Sequence, residues 1–219
     1  MTQSELFELL NEGAAQLGLS LTQDQSLSFY QYLNELKAWG KKMNLISRSD
    51  EREIVIKDFL DSLTGQEQLF QGASLLDLGS GAGFPGIPLK IVRPDLKVVL
   101  LEVILKKVHF LKNLVRVLGL ERVEVRRTGQ KKGVEENLCG EFDFVISRAF
   151  GSLYKLAVAG LPFLKQGGVL LAMKGKKGED ELENNLPVLA NMGLSFNLLH
   201  RFRLPLLGHE RILIGFQRG

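Results

Sequence analysis

The chain has 219 residues, of which 45% are hydrophobic and 24% are charged. This composition is typical of a folded globular protein and excludes an intrinsically disordered one. The length allows one substantial domain with room for a small extension. The net charge of +3 is mild, and it permits a nucleic-acid partner without requiring one.

Compartment and membrane association follow from three features of the sequence. The longest apolar run, residues 98–105, is interrupted by Glu102 and is too short to cross a bilayer. The first residues, MTQSE, carry neither a basic region nor an apolar signal core. A single cysteine, Cys139, excludes an internal disulfide. We therefore expect a cytoplasmic protein without a membrane partner.

Residues 1–70 are predicted to form a helical extension. Apolar residues recur at helical spacing in two stripes, one at Leu6, Leu10, Gly13 and Leu17 and the other at Phe29, Tyr32, Leu36, Trp39 and Met43. Thr22 and Gln25 have the spacing of a capping box that opens the second helix. A third helix is expected over 51–69, beginning at Ser49 or Asp50. The aromatic stripe is interpreted as packing.

Residues 71–219 alternate between strands and helices, and we predict that they form a second unit. Apolar strands are predicted at 74–78, 98–101, 122–126, 142–147 and 168–173, and helices at 86–92, 105–118, 152–164 and 179–191. Gly119 is expected to end one helix and Ser152 to begin the next. Segments 195–203 and 211–217 have no helix between them, which predicts an antiparallel hairpin. The sequence therefore predicts an α/β fold whose seven-stranded, mostly parallel sheet ends in a hairpin, the layout of Rossmann-like methyltransferases.

The stretch "LLDLGSGAGFPGIPLK", residues 75–90, predicts a ligand-binding loop but fits two motifs. One frame begins at Gly81 and spells G-x-G-x-x-G, which is typical of dinucleotide sites. The other begins at Asp77 and spells D-x-G-x-G-x-G, which is typical of loops that hold S-adenosylmethionine. A glycine-rich turn without a ligand is a third interpretation.

The loop glycines and Asp77 favour the second frame, and Glu102 is compatible with both. The second frame ends the strand at Leu78, and Gly79, Gly81 and Gly83 then let the backbone approach a ligand closely. Glu102 ends the next strand, where a carboxylate can bind ribose hydroxyls of either cofactor. The Asp77 carboxylate would repel a pyrophosphate but not a sulfonium. S-adenosylmethionine is therefore the predicted cofactor.

The predicted fourth strand ends at Ile146-Ser147-Arg148-Ala149-Phe150, where catalytic groups are expected. This segment has no D/N-P-P-Y/F platform for amine methylation and no cysteine nucleophile. It offers no general base either, so an acceptor with a free lone pair is favoured. Guanine N7 is such an acceptor. Arg148 is the candidate catalytic residue and also a candidate cofactor contact, with a surface ion pair as the alternative.

Basic residues near the carboxyl ends of the strands favour an RNA substrate. The residues that we expect to face RNA are Lys174, Lys176, Lys177 and Arg211. A solvated charged face is the alternative for each cluster. His109, His200 and His209 lack ligand spacing, so we predict no metal site.

Several segments together resemble one family. They are "LLDLGSGAGFPGIPLKIVRPDLKVVLLE", "KKVHFLKNL", "FDFVISRAFGSL", "AMKG" and "GHERIL", with "AWGKKMNLIS" and "DFLDSL" in the helical extension. The chain is similar in these segments to the bacterial 16S ribosomal RNA guanine-N7 methyltransferases, also called glucose-inhibited division protein B or methyltransferase G of the small ribosomal subunit. The resemblance covers nearly the whole chain.

The resemblance implies S-adenosylmethionine as methyl donor and a guanine in the decoding-region loop of the small subunit as acceptor. By position it assigns Gly79 and Phe84 to the cofactor, Glu102 to its ribose and Arg148 to the active site. The family's Arg-x-Glu-Glu cofactor contact is replaced here by Gly129-Gln130-Lys131-Lys132, so Gln130 and Lys131 take that place. Two further departures, Asp58 for a histidine and Gly40 for an asparagine, lie on the substrate side.

Two other classes of protein remain as alternatives. The G-x-G-x-x-G frame suits an NAD-dependent oxidoreductase, although no proton donor is evident near the fourth strand. A non-catalytic RNA-binding protein could retain the same fold. A small-molecule methyltransferase is disfavoured by the basic residues. We expect a monomer that acts on 16S ribosomal RNA or on the small subunit.

Overall fold

The computed structural model describes residues 1–41, 43–46, 50–129 and 136–219. Its centre is one sheet of seven strands: β1 (Ser74–Leu78), β2 (Lys97–Glu102), β3 (Val123–Arg127), β4 (Phe142–Arg148), β5 (Leu164–Gly175), β6 (Leu194–Arg203) and β7 (Glu210–Arg218). The strand order is β3-β2-β1-β4-β5-β7-β6. Strands β1 to β5 pair in parallel, and β7 pairs antiparallel with both β5 and β6. The predicted α/β class, strand number and terminal hairpin are confirmed.

The strand order reverses direction at β1, whose neighbours are β2 and β4. Asp77 is in register with Leu100 of β2 and with Ile146 of β4. Side chains at the carboxyl ends of these three strands therefore meet at one place. In open α/β sheets this switch point is where ligands bind.

Helices cover both faces of the sheet. They are α1 (Gln3–Gln16), α2 (Gln23–Gly40), α3 (Glu51–Ile54), α4 (Asp61–Leu63), α5 (Gly86–Val92), α6 (Leu105–Val117), α7 (Leu153–Gly160) and α8 (Gly178–Asn191). The helices before β1 pack with α5 and α6 on one face, and α7 and α8 pack on the other. Leu75 faces the first core and its neighbour Leu76 faces the second, as expected for a strand buried on both faces.

The predicted helix ends are confirmed. Thr22 and Gln25 form a reciprocal capping box at the start of α2. Ser152 accepts a hydrogen bond from the Lys155 amide at the start of α7. Gly119 has a φ of +59° directly after the C-cap of α6. Asp50 caps α3, whereas Ser49 lies outside the described residues.

The third predicted helix, expected over 51–69, is not one continuous α-helix. It consists of α3, a π-helical segment (Val55–Leu60), α4 and a separate 3-10 turn (Gln66–Gln68). Single wide turns of this kind recur at functional sites. Within this π-helical segment, the Lys57 carbonyl accepts a hydrogen bond from Arg148 Nη1 at 2.7 Å. Hydrophobic spacing alone does not distinguish such a segment from an α-helix.

The boundary predicted between residues 70 and 71 separates helices from sheet, but one hydrophobic core crosses it. Leu6 and Phe29 of the extension belong to the same buried cluster as Leu75 and Leu100 of the sheet. Division into two units stays a prediction. Among the described residues, no helix has both the length and the apolar character needed to cross a membrane.

Candidate active site

The glycine-rich loop turns sharply as soon as β1 ends. The amides of Gly79 and Ser80 both donate to the Leu101 carbonyl of β2, at 2.9 and 3.1 Å. Gly79, Gly81 and Gly83 have φ values of +76°, +59° and +101°. Residues with a side chain rarely adopt this left-handed backbone, so the turn depends on glycine.

Asp77 lies beneath the loop and is fully buried. Its Oδ2 accepts a hydrogen bond from the Gly86 amide at 2.9 Å, at the first residue of α5. A Cβ at Gly86 would lie only 2.7 Å from this oxygen, so the close approach requires glycine. Burial raises the pKa of Asp77 from 3.8 to about 7, against the lowering effect of the Gly86 hydrogen bond. Asp77 thus holds the loop onto the sheet.

Glu102 links the end of β2 to the same loop. Its Oε2 accepts from the Gly81 amide at 2.8 Å, and its Oε1 accepts from the amides of Val103 and Ile104, each at 2.8 Å. The side chain is fixed by these three bonds at the loop's edge. A carboxylate oxygen has two lone pairs, so Glu102 retains capacity to accept from a bound hydroxyl.

Two phenylalanines flank the loop in different ways. Phe84 is 5% exposed, and its ring stacks on Tyr32 with centroids 5.4 Å apart. Phe150, just after β4, covers Gly79: a Cβ there would lie 3.1 Å from its ring. Between Phe150 and Arg148, Ala149 has a φ of +61°. Such strained backbone in a non-glycine residue is concentrated at functional sites.

Arg148 bridges the loop and the helical extension. Its guanidinium lies 4.8 Å from the Phe84 ring centroid, a cation–π geometry. Nη2 donates to Asp58 Oδ1 at 2.7 Å, and Nη1 lies 3.6 Å from Asp61 Oδ2. Because two carboxylates neutralise it, Arg148 does not oppose a cation bound nearby. The ion pairs of Arg148 therefore lie within the protein rather than at its surface.

A cavity of about 580 Å³ opens beside Arg148, within the size range of small-molecule sites. It is lined by the ends of β4 and β5 and the start of β7, including Lys57, Asp61, Arg148, Lys174 and Arg211. A neighbouring groove of about 670 Å³ shares Arg211 with it. Five basic and three acidic residues line this groove: Lys176, Lys177, Arg201, Arg203 and Arg211, with Glu179, Asp180 and Glu210.

The four residues expected to face RNA divide into two pairs. Lys174 is directed inward, because its Nζ lies 2.9 Å from Glu181 Oε2 and the side chain is 14% exposed. Arg211 Nε donates to Asp61 Oδ1 at 3.0 Å, and its side chain is 22% exposed. Their charges are therefore largely neutralised within the chain. Lys176 is 83% exposed and its Nζ lies 3.6 Å from Glu210 Oε2, an exposed ion pair; Lys177 is also exposed, and both lysines line the groove.

The predicted site is brought together only in part. Gly79, Gly81, Gly83, Glu102 and Arg148 meet around the switch point, with Asp77 and Phe84 packed behind them. Gln130 and Lys131 lie outside the described residues. Their contact with a cofactor stays a prediction.

Sequence reasoning missed four residues of this site. Phe150, Tyr32 and the carboxylates of Asp58 and Asp61 all contact the loop or Arg148. Asp58 was noted only as a departure from the family's histidine. Acidic residues at i and i+3 in an otherwise apolar helix were an available signal, since buried carboxylates need cationic partners.

The fold defines the class of protein. A solved structure described as a SAM-dependent methyltransferase from Aquifex aeolicus superimposes with a TM-score of 0.55 at 22% identity, covering 72% of this chain and 92% of that one. Together with the strand order, this places the chain among Rossmann-like proteins with the class I methyltransferase fold.

Sequence comparisons place the chain in a narrower group than the fold class. Residues 25–199 match the family model GidB, rRNA small subunit methyltransferase G. Ribosomal RNA small subunit methyltransferase G of Geotalea uraniireducens is 42% identical over 214 residues, covering 96% of both chains. The protein of that name from Geobacter metallireducens is 38% identical, covering 96% of this chain and 95% of its own. The chain therefore belongs to the rRNA small subunit methyltransferase G family, which confirms the family indicated by the sequence.

We predict that Asp77→Asn removes a specific pH dependence of stability. Because the pKa of Asp77 is raised to about 7, the folded protein holds a proton there that the unfolded chain releases above about pH 4. The contribution of this carboxyl to stability is therefore full below pH 4 and falls as pH rises to 7. The wild-type free energy of unfolding, relative to Asp77→Asn, should decrease by up to about 1.4 kcal/mol per pH unit.

Urea unfolding of both proteins at intervals from pH 4 to pH 8 measures this difference. Asp95→Asn is the matched control. The Arg93 hydrogen bond lowers the pKa of Asp95, so its contribution changes only below pH 4. A wild-type to Asp77→Asn difference that is constant or increases with pH would contradict the raised pKa.

Proposed function

We propose that this protein transfers the methyl group of S-adenosylmethionine to N7 of a guanine in 16S ribosomal RNA. Membership in the rRNA small subunit methyltransferase G family supports the methylation of ribosomal RNA. The guanine and its N7 are inferred from the chemistry of the site. This step rests on the surroundings of Arg148, which joins the glycine-rich loop to the cavity. Among the described residues that line this cavity, the only carboxylate is Asp61, and it is ion-paired.

The loop fits the proposed donor. The side of Gly81 where a Cβ would project is open, with the nearest atom, the Gly79 carbonyl oxygen, 3.9 Å away. Glu102 is positioned to accept from ribose hydroxyls, and Phe150 supplies an apolar wall. Loop residues 79–86 contain no lysine or arginine, which suits a cation better than a diphosphate. S-adenosylmethionine supplies a methyl group on a positively charged sulfur.

The acceptor must react without a strong general base nearby. Asp61 is held by Arg211 and Arg148, and the other titratable lining residues that the structure describes are cationic. Guanine N7 has a free lone pair and loses no proton when it is methylated. Orientation of the base is therefore the main contribution required of the protein.

Arg148 is the proposed catalytic residue, in the sense of a group that contacts the base or its phosphate. Its Nη atoms are occupied by Lys57, Asp58 and Asp61, which fixes the plane of the guanidinium. Arg148 lines the cavity, and its guanidinium has more N–H donors than these contacts use, so donors remain for the O6 edge of guanine or for a phosphate. Asp58 and Asp61 act through Arg148 and are positioning residues.

Family membership argues against the nicotinamide-dependent alternative. A non-catalytic RNA-binding protein would bind both ligands without transferring the methyl group. The chemistry of transfer and its position are tested together by incubating the protein with methyl-labelled S-adenosylmethionine and small subunits that lack the modification. Borohydride reduction followed by aniline cleaves RNA at N7-methylguanine.

The expected result is label in 16S ribosomal RNA and one new cleavage site at a guanine. Label without cleavage would place the methyl group on another atom and contradict the N7 proposal. Donor binding without label in naked RNA or in subunits would favour the non-catalytic alternative. Comparison of the two substrates also shows which of them the protein modifies.

We predict that Arg148→Lys lowers turnover by roughly 100-fold and changes the dissociation constant of S-adenosylmethionine less than threefold. Lysine keeps a positive charge opposite Asp58 but loses the planar fork that orients a base. Arg126→Lys is the matched control, because Arg126 pairs with Glu124 on the surface of β3. Single-turnover methyl transfer and equilibrium donor binding measure the two effects. An equal loss in both would place Arg148 in the donor pocket instead.

We also predict that the double variant Lys176→Ala/Lys177→Ala weakens RNA binding and its salt dependence. Each lost phosphate contact should reduce the slope of log K against log salt by about 1. The control is Lys97→Ala/Lys165→Ala, which removes two lysines at the amino ends of β2 and β5. Filter binding of 16S RNA fragments over a salt series measures the slopes. Equal slopes for both double variants would move the RNA surface away from the groove.

A further inference from the structure

Side chains satisfy two buried backbone groups at the junction between the glycine-rich loop and α5. Gly86 is the first residue of α5, so its amide has no acceptor within the helix. The amide donates to Asp77 instead, and the nearby Ala82 carbonyl accepts from Tyr32 Oη at 2.5 Å. The donor and the acceptor of each hydrogen bond are buried, so water cannot replace either bond without a loss of stability.

Tyr32 comes from outside the sheet, on α2 of the helical extension. Its ring lies 5.0 Å from Phe59 and 5.4 Å from Phe84, centroid to centroid. Its hydroxyl approaches the loop so closely that a Cβ at Gly83 would lie 2.7 Å from the oxygen. The ring is therefore anchored by packing, while the single polar atom is directed at the loop. Burial also raises the pKa of Tyr32 well above 10, so the hydroxyl remains a donor.

We propose that Tyr32 is a positioning residue for the methyl donor, holding the loop in its binding conformation before the donor arrives. This inference rests on the proposed function of the loop. The loop contains three glycines with positive φ, so its backbone has many accessible conformations when no donor is bound. The Tyr32 bond selects one of them. Without this hydrogen bond, only a fraction of the molecules has the loop in its binding conformation, and the apparent affinity for the donor falls in proportion to that fraction.

The test is Tyr32→Phe, which keeps the stacked ring and removes only the hydroxyl. We expect the dissociation constant of S-adenosylmethionine to rise about tenfold. A change of this size corresponds to the free-energy cost of leaving one buried carbonyl without a hydrogen bond. Turnover at saturating donor should stay within twofold, because the bound loop is then restored. A role in global stability alone would not separate these two quantities.

The matched control is Tyr30→Phe, which removes the same atom from the same helix at a half-buried residue outside the ring stack. It should leave donor affinity and turnover within twofold of wild type. Titrations are made well below the melting midpoint of each variant. If Tyr32→Phe and Tyr30→Phe show equal donor affinities, the inference is wrong.

Hydrogen exchange gives an independent measurement. The amides of Gly83 and Phe84 donate to the Ser80 carbonyl at 2.7 and 3.0 Å, within the loop. In donor-free Tyr32→Phe these amides should exchange faster than in wild type, and saturating donor should restore their protection. Unchanged exchange would show that the hydroxyl does not order the loop, whatever the effect on stability.

A loop variant distinguishes failure of this inference from failure of the proposed function. Gly81→Val imposes a β-branched side chain at φ +59° and should abolish donor binding. Gly119→Val imposes the same backbone strain at φ +59° in an open helix end and should not. If Gly81→Val binds normally, the loop is not the donor site and the proposed function loses its pocket. If only Tyr32→Phe binds normally, the role of Tyr32 alone is refuted.

Discussion

Peptide groups in the turn that follows β1 must find hydrogen-bond partners where water is excluded. The turn supplies only some of them itself, because its glycines adopt a left-handed backbone that breaks the regular pattern. Asp77, Glu102 and Tyr32 provide the missing partners from below, from the neighbouring strand and from the helical extension. The shape of the candidate donor pocket depends on these three side chains.

The helical extension reaches both sides of the site. Through Tyr32 it contacts the glycine-rich loop, and through Asp58 and Asp61 it holds Arg148. Arg211 of the terminal hairpin joins the same network at Asp61. A buried carboxylate is strongly destabilising when its cationic partner is removed, so these groups are mutually dependent. The extension therefore contributes side chains to the candidate site as well as to the core.

Charge is distributed so that the candidate site suits a cationic donor and an anionic acceptor. Two buried carboxylates compensate Arg148 beside the loop, whereas Lys176 and Lys177 are exposed where they line the neighbouring groove. Basic residues in this part of the protein thus serve different purposes. Exposure and ion pairing decide which purpose a given basic residue serves, and neither is evident from its position in a charge cluster.

The sequence by itself determined the fold class, the terminal hairpin, the helix caps and the loop. These depend on local patterns: apolar runs, capping residues and glycine spacing, each of which acts over a few neighbouring residues. Only the tertiary structure decided that Tyr32 binds the Ala82 carbonyl, that Asp58 and Asp61 hold Arg148, and that Lys174 points inward. Tyr32 and Ala82 are 50 positions apart in the sequence and Asp58 and Arg148 are 90 apart, whereas Lys174 and Glu181 are only 7 apart. The geometry of these contacts is fixed by the packing of whole elements, which local pattern does not encode.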